Sequence, residues 1–125
     1  MTVLLVDDSP VMRRFVARTL EMTGLGPQIH EAENGRDGMS KAVALVPDLV
    51  ITDLNMPEMD GAELIAEMQA SKLLCGIPVL VLTADRSPVR SEALMGAGAA
   101  ACLTKPITPQ SLRKELLSLL AEVDR

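Results

Sequence analysis

Apolar positions along the chain fall into two kinds of segment. Val3-Leu4-Leu5-Val6, Leu49-Val50-Ile51, and Ile77 with Val79-Leu80-Val81-Leu82 are short continuous runs, rich in β-branched residues and bounded by polar or turn residues. Such runs read as strands buried on both faces. Two weaker strand candidates are Gln28-Ile29-His30-Glu31-Ala32, which alternates, and Ala99 to Leu103, which is small and apolar. The segments between carry helical signals. Ser9-Pro10 supplies an N-cap and a proline at the first helical position; Val11, Phe15, Ala17 or Arg18, and Leu20 follow at helical spacing, and Gly24 and Gly26 close the segment. Asn34-Gly35 turns into a second helix that runs to about Val46, where Pro47 stops it. Asp60 with Glu63 is a capping-box variant opening a third helix through Met68, and Ser87-Pro88 starts a fourth that Gly96 and Gly98 end. Thr108-Pro109 starts the last, with Leu112, Leu116, Leu117, Leu119 and Leu120 as its apolar stripe.

Five alternations of strand and helix predict an α/β fold, a parallel sheet with helices on both faces. No repeat, low-complexity tract or long linker interrupts it, so residues 1–125 read as one domain. Ligands of such open sheets sit outside the carboxyl ends of the strands, where strand order reverses.

Composition narrows the picture without changing it. The chain is 48% hydrophobic and 23% charged, ordinary for a globular protein, but Phe15 is its single aromatic residue and it has 8 methionines, so the core is expected to be aliphatic. A net charge of -5 argues against a nucleic-acid footprint and favours proteins and small phosphodonors as partners. Cys75 and Cys102 match no metal-ligand spacing, and no disulfide is needed to hold a chain this apolar. The first apolar run stops at two acids, too short for a signal peptide or a spanning helix, so a soluble cytoplasmic protein is expected.

The expected strand ends carry reactive side chains: Asp7 and Asp8 after the first, Asp53 on the third, Thr83 on the fourth and Lys105 after the fifth. Each has an ordinary explanation. A strand-end acid more often caps a helix than binds a ligand, a threonine finishes a sheet edge, and a lone lysine is a surface charge. All of them facing one crevice is another matter. Three clustered carboxylates repel one another unless a cation sits among them, and hard oxygen donors with space for water and phosphate suit Mg2+ better than zinc.

Val6-Asp7-Asp8-Ser9, the segment from Asp53 through Asn55, Met56 and Pro57 to Gly61, Leu82-Thr83-Ala84, and Lys105-Pro106 together give the chain a resemblance. It resembles the receiver domains of bacterial response regulators, above all the short chemotaxis type, over essentially its whole length. The resemblance implies a doubly wound, CheY-like (βα)5 sandwich with strand order 2-1-3-4-5. It implies a phosphorylation switch rather than an enzyme, with Asp53 as phosphoacceptor from a histidine kinase or phosphotransfer protein. By the same resemblance, Asp8, Asp53 and the backbone carbonyl of Asn55 ligate Mg2+ directly, Asp7 acts on it mainly through water, and Lys105 pairs with a phosphoryl oxygen. Thr83 is the implied sensor with small Ala84 beside it, Lys105-Pro106 is a cis peptide, and Asn55 and Asp85 tune attack by water. The output surface would be the fourth helix, fifth strand and fifth helix, offered to a downstream protein or to a second copy on phosphorylation.

One position departs from the pattern. The family commonly places Tyr or Phe three residues before the lysine, as rotameric partner of the threonine, where this chain has Cys102. An altered readout is expected there, with Cys102 as a packing residue rather than a redox centre. Arg13-Arg14 reads as a solvated helix face and His30 as a partly exposed strand residue. A magnesium-dependent phosphohydrolase would want a second acid where Asn55 stands and room for a cap domain; a flavodoxin-like module would want aromatic residues and a phosphate loop. The third rival, a receiver never phosphorylated, fits poorly with a full set of site residues.

Overall fold

A computed structural model describes residues 1–123. Its strands are β1 (Thr2–Val6), β2 (Gln28–Ala32), β3 (Leu49–Asp53), β4 (Val79–Thr83) and β5 (Ala101–Thr104), alternating with α1 (Pro10–Glu21), α2 (Gly35–Leu45), α3 (Gly61–Gln69), α4 (Pro88–Ala97) and α5 (Pro109–Val123). All pairings are parallel, in the order β2-β1-β3-β4-β5. Order reverses between β1 and β3, so the crevice demanded by this topology opens at their carboxyl ends. Every residue of β3 and β4 is buried, as their unbroken apolar runs require of central strands.

The aliphatic core has two halves, one on each face of the sheet. Leu4, Val50 and Val81 pack with Leu64, Ile65 and Leu94 of α3 and α4, while Leu5, Ile51 and Leu82 pack with Val16, Leu20 and Leu116 of α1 and α5. Strand alternation assigns the sides, because successive side chains point to opposite faces. Side-chain caps fix where the helices begin. Ser9 Oγ accepts from Met12 N at 3.2 Å, Asn34 Oδ1 from Asp37 N at 2.8 Å, and Asp60 Oδ1 from Glu63 N at 2.8 Å within a complete capping box.

Several details differ from the pattern-based reading. α1 ends at Glu21 with Met22 as C-cap, and Gly24 and Gly26 take positive φ in the turn beyond it. Gly98 caps α4 at φ 123° while Gly96 lies inside the helix. β5 is displaced toward Lys105, because Ala99 and Ala100 are small enough to belong to either strand or turn. In α5, Leu112, Leu116 and Leu119 are buried and Leu117 is exposed; Leu120 lies outside the residues whose side chains are described. Among the described residues, no helix is long and apolar enough to cross a membrane.

Candidate functional site

Parallel pairing delivers the reactive residues to one edge. Val6 pairs with Thr52, Asp53 with Leu82, and Thr83 with Thr104, so Asp7, Asp53, Thr83 and Lys105 all come from strand ends in register. Carboxylate oxygens of Asp7, Asp8 and Asp53 lie within 4.8 Å of one another. Asp7 and Asp53 are buried and Asp8 is exposed, which leaves the cluster open to solvent on one side. Lys105 Nζ reaches across from β5 to Asp53 Oδ1 at 3.1 Å, and the same oxygen accepts from Leu54 N at 2.9 Å.

Asp7 is the costly member of the cluster. Its Oδ1 accepts from Ser9 N at 2.8 Å, but its Oδ2 is buried without a hydrogen-bond partner among the described residues. Burial pushes the Asp7 carboxyl up to about 6 from 3.8; the negative charges of Asp53 and Asp8 act in the same direction, against the Ser9 hydrogen bond and Lys105. A buried carboxylate oxygen with no donor is destabilising on its own. One divalent cation would satisfy that oxygen and offset the mutual repulsion, and an all-carboxylate donor set is the chemistry Mg2+ prefers. The residues present therefore fit the ion.

The remaining residues of the pattern are placed as follows. Thr83 is buried, and its Oγ1 accepts from Asp85 N at 3.0 Å. Asp85 Oδ1 in turn accepts from Ser87 N at 2.9 Å, tying the β4–α4 loop to the cap of α4. Ala84, Asp85 and Asn55 are exposed around the crevice. Lys105-Pro106 is a cis peptide. Cys102 is half-buried against the core half that contains Leu94 and Ala99, and burial raises its thiol pKa while the nearby Ser91 side chain of α4 opposes the rise. Cys75 and Cys102 are both free.

Two features were not visible in the residue pattern. Gly61 lies against the end of β3 so closely that a Cβ there would stand 2.5 Å from the Asp53 carbonyl oxygen. Arg13 is not part of a solvated face: its guanidinium donates to the Asp7 carbonyl and to Glu31, while Arg14 is exposed. Helical spacing alone could not separate adjacent arginines; only the carbonyl left free at the end of β1 does. His30 is half-buried on the edge strand β2.

A five-stranded doubly wound sheet with an acid cluster and a lysine at its switch point defines a CheY-like α/β domain. The chain belongs to the response regulator receiver domain family, whose family model matches residues 3–117. It is 35% identical to the chemotaxis protein CheY1 of Helicobacter pylori (strain J99), with 99% of this chain and 100% of that one covered. It is 31% identical to a segment making up 7% of hybrid signal transduction histidine kinase D of Dictyostelium discoideum, covering 94% of this chain. Among solved structures, the chemotaxis response regulator CheY4 of Vibrio cholerae superimposes with a TM-score of 0.87 at 34% identity, covering 94% of this chain and 97% of that one. The chain is thus a receiver domain of two-component signalling, a family of phosphoaccepting switches that generally bind Mg2+ at an acidic pocket and meet histidine kinases and downstream targets.

Proposed function

We propose that residues 1–125 form one receiver domain in which Asp53 takes the phosphoryl group. The observation that carries this reading is the convergence of three carboxylates with Lys105 Nζ, which already contacts Asp53. A carboxylate oxygen of Asp53 attacks the phosphorus of a phosphohistidine, or of a small phosphodonor. With phosphohistidine the new O–P bond forms as the P–N bond breaks, and the departing imidazole retains the electron pair and takes a proton; with an acyl phosphate the P–O bond breaks instead and the electron pair leaves with the carboxylate. Asp7, Asp8, Asp53 and the Asn55 carbonyl would hold Mg2+. When bound, that ion supplies the positive charge that lets two anions approach and align. The three carboxylates sum to -3, against +3 from Mg2+ and Lys105, so the resting site is near neutral. Replacing one carboxylate charge with an acyl phosphate of about two leaves it near -1.

That added charge has two recipients. Lys105 exchanges the Asp53 carboxylate for a phosphoryl oxygen, and Thr83 gives up the Asp85 N–H and donates its hydroxyl to the phosphoryl group. The β4–α4 loop moves with Thr83, since Asp85 and the Ser87 cap are bonded in series with it. The output surface is then α4-β5-α5, facing a downstream protein or a second copy, with Asn55 and Asp85 tuning hydrolysis. An open apolar groove beside Lys105, lined by Val11, Phe15, Pro106 and Ile107, is where the donor's histidine-bearing surface would dock to reach Asp53. The direct test is beryllofluoride, a phosphoryl mimic, added with Mg2+ to isotope-labelled protein. Chemical-shift changes running from Asp53 through Thr83 into α4 support the reading, and an unchanged spectrum counts against it.

A further inference from the structure

Arg13 spans two strands from the helix between them. Its Nη1 donates to the Asp7 carbonyl at 2.5 Å and its Nε to Glu31 Oε1 of β2 at 2.8 Å. On the other side of the same residue, Asp7 N donates to the Ala32 carbonyl at 3.0 Å. Both peptide groups flanking the Asp7 side chain are therefore held, one by the sheet and one by a side chain. Arg13 is itself well enclosed, with 17% of its side chain exposed, and it lines the small cavity behind Asp7 and Asp53. A planar guanidinium presents two donors in a fixed fork, which a lysine cannot reproduce.

We propose that Arg13 is a positioning residue: its fork, braced by Glu31, holds the turn after β1 so that Asp7 and Asp8 converge with Asp53 on a divalent cation. This rests on the reading of the three aspartates as the Mg2+ site. The geometry separates two effects of opposite sign. As a nearby positive charge, Arg13 disfavours a cation, so its removal would tighten Mg2+ binding if charge were all it contributed. As the clamp on the Asp7 carbonyl, it fixes the donors, and groups that orient metal ligands are typically worth 10–100-fold in metal affinity. Glu31 is half-exposed and acts only through Arg13, so its own effect is smaller and weakens with salt.

The test is Mg2+ titration of the whole chain by calorimetry, alongside metal-free thermal unfolding, for the parent, Arg13→Met, Glu31→Gln and the double variant. Methionine keeps the apolar stem in the cavity and removes the fork. Arg13→Met is expected to raise the Kd for Mg2+ about tenfold. Glu31→Gln should raise it less, and the double variant should bind like Arg13→Met alone. An unchanged or lower Kd in Arg13→Met overturns the proposal, as does an effect of Glu31→Gln that adds in full to it. Should Arg13→Met fail to fold, Glu31→Gln decides alone, an unchanged low-salt Kd being the contrary result. A parent chain that binds no Mg2+ overturns the reading of the site itself, and this proposal with it.

Discussion

Lys105 Nζ sits 3.1 Å from Asp53 Oδ1 across 52 residues of sequence, at the ends of two strands that are not neighbours in the sheet. β4 lies between them, and its own last residue is Thr83. The carboxylate, the ammonium that pairs with it and the buried hydroxyl between them therefore come from successive strands of one parallel ladder. Parallel pairing is what makes such a site possible, because it sends every carboxyl end to the same edge.

Replacing Lys105 by methionine keeps most of the side-chain volume and removes the charge. A hydrogen bond to an ionised group contributes about 1.5–3 kcal/mol. Lys105→Met should therefore slow phosphoryl transfer from acetyl phosphate by about 10–100-fold. Time-resolved intact-mass measurement reads this directly, and a parent-like rate would remove Lys105 from the mechanism.

Asp7 makes the metal-free protein sensitive to pH. Its carboxyl titrates near 6 in the fold and near 3.8 in the unfolded chain, so between these values the folded state holds more of the proton. Stability from this group is fully present below the lower value and is lost as pH rises through the upper one. The loss amounts to about 3 kcal/mol at neutral pH. Asp7→Asn should accordingly stabilise the metal-free protein near pH ~7, with little effect near pH ~4, and should abolish the rise in Tm that Mg2+ gives the parent. Thermal melts at both pH values, with and without Mg2+, check both signs.

Backbone constraints around the sheet give changes of opposite direction. Val46 ends α2 in the left-handed region at φ 45°, where a β-branched side chain is strained and largely exposed. Val46→Asn should raise stability by about 1 kcal/mol. Gly61 is pressed against Asp53 and Leu54 backbone atoms, so Gly61→Ala must push α3 away from β3. It should lower stability by about 1–3 kcal/mol and slow phosphorylation as well. Urea unfolding at matched m-values gives both numbers.

Cys102 occupies the position where an aromatic rotamer is common in the family, packed beneath α4 and close to Ser91. Cys102 lies within β5 and packs into the core half under α4, whereas Lys105 follows the end of that strand, so adduct formation should not notice a change at Cys102. Cys102→Tyr should leave the rate of adduct formation nearly unchanged and alter phosphorylation-dependent binding to a partner. Binding that stays as in the parent would mean that the readout does not pass through this position.

Most of the architecture was legible because physics at short range decided it. Unbroken runs such as Val79 to Leu82 demand burial on both faces, and Ser9, Asp60 and Ser87 cap helices wherever they stand before one. The crevice was legible too, since reading only strand ends collects Asp7, Asp8, Asp53, Thr83 and Lys105. What stayed hidden depends on contacts distant in sequence. No spacing rule separates Arg13 from Arg14, reveals Gly61 under the Asp53 carbonyl, or tells that Leu117 turns outward while Leu116 is buried. The boundaries of β5 were blurred by a run of alanines that carries little periodic signal.

The central claim concerns Asp53, and intact mass tests it most directly. Purified protein incubated with acetyl phosphate and Mg2+ should gain the mass of one phosphoryl group, lose it when the ion is chelated beforehand, and show no gain in Asp53→Asn. A parent protein that gains no phosphoryl mass, or an Asp53→Asn variant that gains it equally, would contradict the account.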